Sequence, residues 1–166
     1  MNPPNRSLLT DDLGLFTDLY ELTMAQAFYN QEMFAPATFS LFTRTYPRNR
    51  GYLVSAGLED VLDYLEHLCF TEASIEYIRS IGAFTEDFLQ YLSGLSFTGS
   101  VRAIPEGRLY FANESVLEIT APIIEAQLVE TFIINQINFQ SLLATKAARC
   151  VWAAPGKTLS DFSSRR

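Results

Sequence analysis

An α+β fold with a mostly antiparallel sheet is what the order of patterns along this chain predicts. Three observations carry that reading. Residues 37–43 alternate apolar and polar side chains, as a strand does. A group of short helical stripes follows, and only then a cluster of strands separated by turns over 97–121. The last long element, from Pro122 to about Arg149, is apolar at helical spacing. Helices and strands are therefore grouped rather than strictly alternating, which separates this pattern from a doubly wound parallel sheet.

Taken in order, residues 1–12 read as a flexible arm and 13–150 as one α+β domain. A helix begins near Asp18, because Asp18-Leu19-Tyr20-Glu21 has the spacing of a capping box, an acceptor at the cap and a Glu three residues later. Leu22, Ala25, Gln26 and Tyr29 then fall at helical intervals. The strand at 37–43 runs into a basic, turn-rich loop, Arg44 to Gly51. Leu58, Val61, Leu62, Leu65 and Leu68 form the next stripe. Ile75, Tyr77, Ile78 and Ile81 form another, and Phe88, Leu89 and Leu92 a third, with Thr71 and Thr85 placed to cap the latter two. Strands are expected at Ser100–Ile104, Leu109–Phe111 and Val116–Thr120, with Gly107 at a turn. Pro122 suits the first turn of the long helix, whose apolar circumference predicts cover on several sides. Val151-Trp152-Ala153-Ala154, the turn Pro155-Gly156 and a short polar strand after it read as the entry to a second domain, 151–166, whose remainder is expected to be missing.

Composition narrows the function. The chain has 166 residues, of which 48% are hydrophobic and 13% aromatic, enough for a real core. A formal charge of -7 and a pI near 4.7 argue against holding nucleic acid by general electrostatics. Any phosphate must be met by a few placed arginines. Cys69 and Cys150 lie far apart in no paired motif and read as buried, reduced thiols of a cytoplasmic protein. The polar, Pro-rich opening Met1–Arg6 has no apolar core of a signal peptide. Residues 123–148 are long and greasy, but Glu125, Gln127, Glu130, Asn135, Gln136, Asn138 and Gln140 are too polar a set for a bilayer span.

Three groups could carry chemistry. Asp18 and Tyr20 are either a helix cap with a packed tyrosine or a phenol ring offered to a planar ligand. Arg44, Arg48 and Arg50 are either a solvated turn or an anion site of guanidinium forks. Phe162, Arg165 and Arg166 are either a core ring with surface arginines or a stacking ring beside a phosphate-binding arginine. His67, on the polar side of its helix, reads as a solvated histidine. No metal cluster, P-loop, dinucleotide fingerprint or serine elbow is visible. On these motifs alone the function stays open.

Longer runs narrow it. Thr17-Asp18-Leu19-Tyr20-Glu21-Leu22-Thr23-Met24-Ala25-Gln26-Ala27, then Phe39-Ser40-Leu41-Phe42-Thr43-Arg44, then Asn49-Arg50-Gly51-Tyr52-Leu53-Val54-Ser55-Ala56-Gly57-Leu58-Glu59 resemble the opening of nicotinate phosphoribosyltransferases. Asp161-Phe162-Ser163-Ser164-Arg165-Arg166 resembles that family's Asp-Phe-Gly-x-Arg-Arg element, with Ser163 in place of the Gly. The resemblance implies the N-terminal domain of the nicotinate/quinolinate phosphoribosyltransferase type, followed by the first strand of an otherwise missing α/β barrel. It implies glycosyl transfer from phosphoribosyl pyrophosphate to nicotinate, giving nicotinate mononucleotide and pyrophosphate in NAD salvage. ATP hydrolysis coupled to the reaction, and Mg2+ accompanying the pyrophosphate, are implied with it. A cytoplasmic homodimer with a shared active site is implied too. Matched residue by residue, Tyr20 stacks on the pyridine ring from a partner subunit and Asp18 stands near the same ring. Phe162 closes the other face, Arg165 lies at the phosphoribosyl phosphate, and Arg44 and Arg50 lie on the phosphate side. The family's phosphorylated histidine lies downstream, so no catalytic residue or metal ligand is expected here, and the 166 residues alone are expected to be inactive. Two alternatives stand beside this reading: a non-catalytic dimerisation or binding module derived from such an enzyme, or a phosphoribosyltransferase for nicotinamide or quinolinate.

Overall fold

The computed structural model describes residues 13–160. Residues 1–12, read from the sequence as an arm, and Phe162, Arg165 and the rest of the terminal motif lie outside the described residues. After a short 3-10 turn at Leu13–Leu15, helix α1 spans Leu19–Asn30, strand β1 Pro36–Phe42 and strand β2 Leu53–Val54. Helices α2 (Leu58–Glu66), α3 (Glu72–Ile81) and α4 (Glu86–Ser93) follow, then strands β3 (Ser100–Ala103), β4 (Leu109–Tyr110) and β5 (Ser115–Pro122). Helices α5 (Ile123–Leu128) and α6 (Glu130–Ala153) close the order. The α+β class, the caps at Thr71 and Thr85, and the helix start at Asp18 are as the sequence predicts.

Strand β5 is the centre of a three-stranded antiparallel sheet, flanked by β1 and β3. Its pleat sorts the residues. Leu117, Ile119 and Ala121 are buried, whereas the alternate Glu118 and Thr120 meet polar partners: Thr120 bonds Thr38 across the strands at 2.8 Å. The buried face lies under α5, which is enclosed from Ile124 to Leu128. Glu125 inside that helix accepts from the Thr98 backbone N–H at 2.7 Å and from the Thr98 hydroxyl at 3.0 Å, which satisfies a carboxylate otherwise costly to bury. Elsewhere the core is aromatic and aliphatic. Tyr64 of α2 stacks on Phe132 of α6 with ring centres 3.9 Å apart, and Phe16 meets Phe132 edge-on at 5.3 Å.

Several expectations are corrected. The single helix from Pro122 to Arg149 is two helices, broken at Val129 (φ -92°, ψ -4°), and the second runs on to Ala153. Pro122 is not in a first turn: it pairs with Pro36 as the last residue of β5. No Gly or Pro marks the break. It follows from packing, since α5 is enclosed while α6 turns to lie along β2 and α2. Val151, Trp152 and Ala153 are the final turn of α6 rather than a lead-in to a strand, and 157–160 form no regular element. The cover expected for the long helix is also partial: Phe139, Leu142, Leu143, Val151 and Trp152 of α6 are exposed. Both Cys69 and Cys150 are exposed thiols, not buried ones. Cys69 alternates out between buried Leu68 and Phe70, and Cys150 lies on the uncovered end of α6.

Candidate functional site

The first turn of α1 meets the first turns of α6, and an open cavity of about 510 Å³ lies along that junction. Asp18 and Tyr20 form one wall; Glu130, Thr131, Asn135, Asn138, Phe139 and others on α6 form the opposite one. Tyr20 is 50% exposed although it sits in a regular helix, so its ring is not spent on the core. The packed-tyrosine reading is thereby set aside, while the cap reading of Asp18 holds: its backbone N–H donates to Glu21 Oε2 at 3.2 Å in a capping box. A smaller apolar groove, lined by Phe39, Leu41, Leu117, Ile119 and Ile133, adjoins the cavity through Glu130 and Ile134.

Charge in the cavity is negative. Asp18, Glu21 and Glu130 gather at its base, and the Thr131 hydroxyl bridges the first two, 2.9 Å from Glu21 Oε1 and 3.2 Å from Asp18 Oδ2. Partial burial, then the charges of Glu21 and Asp18, raise the Glu130 carboxyl above its ordinary range, against a lowering hydrogen bond from Gln127 Nε2 at 3.1 Å. Desolvation first, then Glu130, Glu21 and Asp18, raise the Tyr20 phenol in the same way. The phenol therefore stays neutral at physiological pH. Such a wall can offer a flat aromatic face and two amide side chains to a planar ligand, and it disfavours an anionic group placed against its base.

The arginines stand apart from it. Arg44 is exposed on the loop after β1, and Arg50 is half-buried there; neither lines the cavity. The loop is pinned by the Asn113 backbone N–H donating to the Thr43 carbonyl at 2.8 Å and the Ala112 N–H donating to the Tyr46 hydroxyl at 2.9 Å. Arg50 Nη1 is buried without a hydrogen-bond partner, an arrangement that favours an anionic acceptor. His67 is exposed and bonds its own helix at the Asp63 carbonyl, 2.8 Å away, as read from the sequence. Among the described residues no group of three or more His, Cys, Asp or Glu could hold a metal ion, and no helix is long and apolar enough to cross a membrane.

The α6 wall escaped sequence reasoning. Its polar residues counted there only against a bilayer span, yet Thr131, Asn135, Asn138 and Leu142 recur at steps of four, three and four, which places them on one helical face. That period was the available signal.

The fold is that of an α+β domain with an open cavity between α1 and α6. Residues 15–138 match the nicotinate phosphoribosyltransferase N-terminal domain, and the chain belongs to that family. Among curated relatives, it is 52% identical over 153 residues to a nicotinate phosphoribosyltransferase of Mycobacterium tuberculosis, covering 92% of this chain and 33% of that protein. It is 43% identical over 157 residues to the nicotinate phosphoribosyltransferase of Bacillus subtilis, covering 94% of this chain and 32% of that one. The crystal structure of human nicotinic acid phosphoribosyltransferase superposes with a TM-score of 0.79 at 32% identity, over 86% of this chain and 30% of that one. A nicotinate-nucleotide pyrophosphorylase from Pyrococcus furiosus shares the fold, with a TM-score of 0.56 at 19% identity over 80% of this chain and 28% of that one. The chain thus spans about a third of the length of the curated relatives it matches.

Proposed function

We propose that this chain supplies the Tyr20 side of a nicotinate phosphoribosyltransferase active site, in an enzyme that joins nicotinate to phosphoribosyl pyrophosphate in NAD salvage. The observation that carries the reading is the half-exposed Tyr20 ring at an open cavity, within a domain that belongs to this family. In it Tyr20 stacks on the pyridine ring, with Asp18 beside it and Phe162 on the opposite face. The negative base of the cavity orients the substrate: the nicotinate carboxylate points away from Asp18 and Glu130, whereas the ring, which becomes cationic on joining ribose, is favoured beside them. Arg165, with Arg44 and Arg50 on their loop, meets phosphate groups, and the unpaired Arg50 Nη1 supports that assignment. Two copies share each site, in the cytoplasm.

ATP coupling and Mg2+ belong to the same proposal. Mg2+ would neutralise pyrophosphate, and among the described residues no group of three or more His, Cys, Asp or Glu gathers to hold it. The 166 residues by themselves form no product, since phosphoribosyl transfer needs pyrophosphate held opposite the ring as well.

Grafting tests this. Placed in the Mycobacterium tuberculosis relative in exchange for the matching third, the chain is expected to support nicotinate mononucleotide formation. Tyr20→Ala in the graft should raise the apparent Kd for nicotinate by roughly 5- to 150-fold, the size of an aromatic stack on a flat base. An unchanged affinity removes Tyr20 from the site. Product formed by the 166 residues alone would contradict the divided site.

A further inference from the structure

We propose that Glu21 is the positioning residue of the Tyr20 site, a buried carboxylate that fastens the first turn of α1 to α6 and holds the phenol by its hydroxyl. The role rests on Tyr20 being the stacking residue; the clamp itself rests on geometry alone.

Glu21 is 0% exposed, and no cation is paired with it among the described residues. A carboxylate so placed is costly unless each lone pair finds a donor. Four donors do converge. Oε2 accepts from the Thr17 hydroxyl and from the Asp18 backbone N–H at 3.2 Å. Oε1 accepts from the Thr131 hydroxyl at 2.9 Å and from the Tyr20 hydroxyl at 3.4 Å. A carboxylate has about four lone-pair sites, so this one is filled.

The identities of the donors give the role. Two come from the entry to α1 and set where that helix starts. One comes from α6 and fixes the helix pair. The fourth is the ring that lines the cavity. An apolar residue would fill the space without the desolvation cost, and nothing in the helix pair requires a charge there. What the carboxylate adds is a fixed anchor for the hydroxyl end of Tyr20, leaving the faces of the ring free. Thr131 acts through the same atom, and its proton is shared between Glu21 and Asp18.

Tyrosine-selective 13C NMR of the 166-residue chain tests the clamp, with the Tyr20 signal assigned among eight tyrosines by Tyr20→Phe. Glu21→Gln keeps a capping box but removes the charge. It should bring the Tyr20 titration midpoint down toward the ordinary tyrosine value of about 10 while leaving the ring ordered. Desolvation is the largest cause of the raised midpoint, followed by the charges of Glu130, Glu21 and Asp18, and of these charges the substitution changes only one. Glu21→Ala should lower the midpoint and also free the ring, read as faster ring relaxation. If that variant does not fold, Thr131→Val, which leaves the cap intact, should still loosen the ring. An unmoved midpoint in Glu21→Gln, or ring relaxation unchanged in both Glu21→Ala and Thr131→Val, overturns the clamp. No nicotinate enters these measurements, so such a result removes Glu21 and leaves the substrate reading to the graft.

Discussion

Glu130 shows how one residue lining the cavity can cost stability. It opens α6 with its carboxyl partly desolvated and facing Glu21 and Asp18, and its affinity for a proton is raised. The folded chain therefore binds that proton more tightly than the unfolded one. Its stabilising contribution is complete below the unfolded carboxyl value of about 4.3 and is lost as pH rises through the raised folded value. At neutral pH the charge opposes folding. Glu130→Gln, which keeps an acceptor for Gln127, is expected to melt at a higher temperature than the parent at pH 7 and at the same temperature near pH 3. Equal melting at both pH values would show that the cavity base is not strained by charge. Local patterns made half of this site legible. Asp18 and Glu21 were readable because the capping box is confined to four residues. Thr131 was not, because it meets Glu21 across 110 positions, and no pattern along the chain encodes that distance. Arg50 was visible as a charge in a loop, but its unpaired buried nitrogen is a fact of three-dimensional packing alone.

Among the elements, α3 and α4 depend on their caps, and the two caps are not equal. Thr71 accepts from the Ser74 N–H at 3.1 Å, Thr85 from the Phe88 N–H at 3.4 Å. Replacing either by Ala leaves a first-turn donor without its partner, at a cost of about 1 kcal/mol. Thr71→Ala should cost more than Thr85→Ala in urea unfolding, because the shorter bond is the stronger. The reverse order would mean that the Thr85 side chain contributes more than its one bond to the Phe88 N–H. Helical stripes and caps are short-range information, which explains why α1 to α4 stand where periodicity puts them. Strand β2 is the contrary case. Its two residues, Leu53 and Val54, are too few to show a period, and the strand is held from outside: Thr145 of α6 accepts from the Val54 N–H at 2.9 Å. Gly57 next to it has φ 96°, and an added Cβ would come within 2.9 Å of the Gln136 carbonyl, so α2 starts where α6 permits. The break at Val129 likewise follows from what encloses each helix, not from a breaker in the sequence.

For the molecule as a whole, the open question is set by α6. One face is committed: Ile137, Ser141 and Thr145 are buried, and the last two bond the backbone around β2. The other carries Phe139, Leu142 and Leu143, and the terminal turn adds Val151 and Trp152, the last 84% exposed. Phe139 and Leu142 also line the Tyr20 cavity. Isolated apolar residues on a surface are ordinary, but neighbouring exposed ones such as Phe139, Leu142 and Leu143 favour association. The net charge of -7 opposes it only weakly at physiological salt, because screening limits repulsion to about 8 Å. The chain should therefore associate with itself in a concentration-dependent way. Trp152 is the single tryptophan and stands exposed in the last turn of the same helix, so its emission should move to the blue as association covers that end and the sedimentation coefficient rises with concentration. Leu143→Lys, placed on the exposed side and away from the core, should weaken association without lowering the melting temperature of dilute protein. A chain that stays monomeric at all concentrations, with Trp152 emission unchanged, would mean that the uncovered face of α6 is not adhesive, and that two copies do not meet through the rim of this cavity.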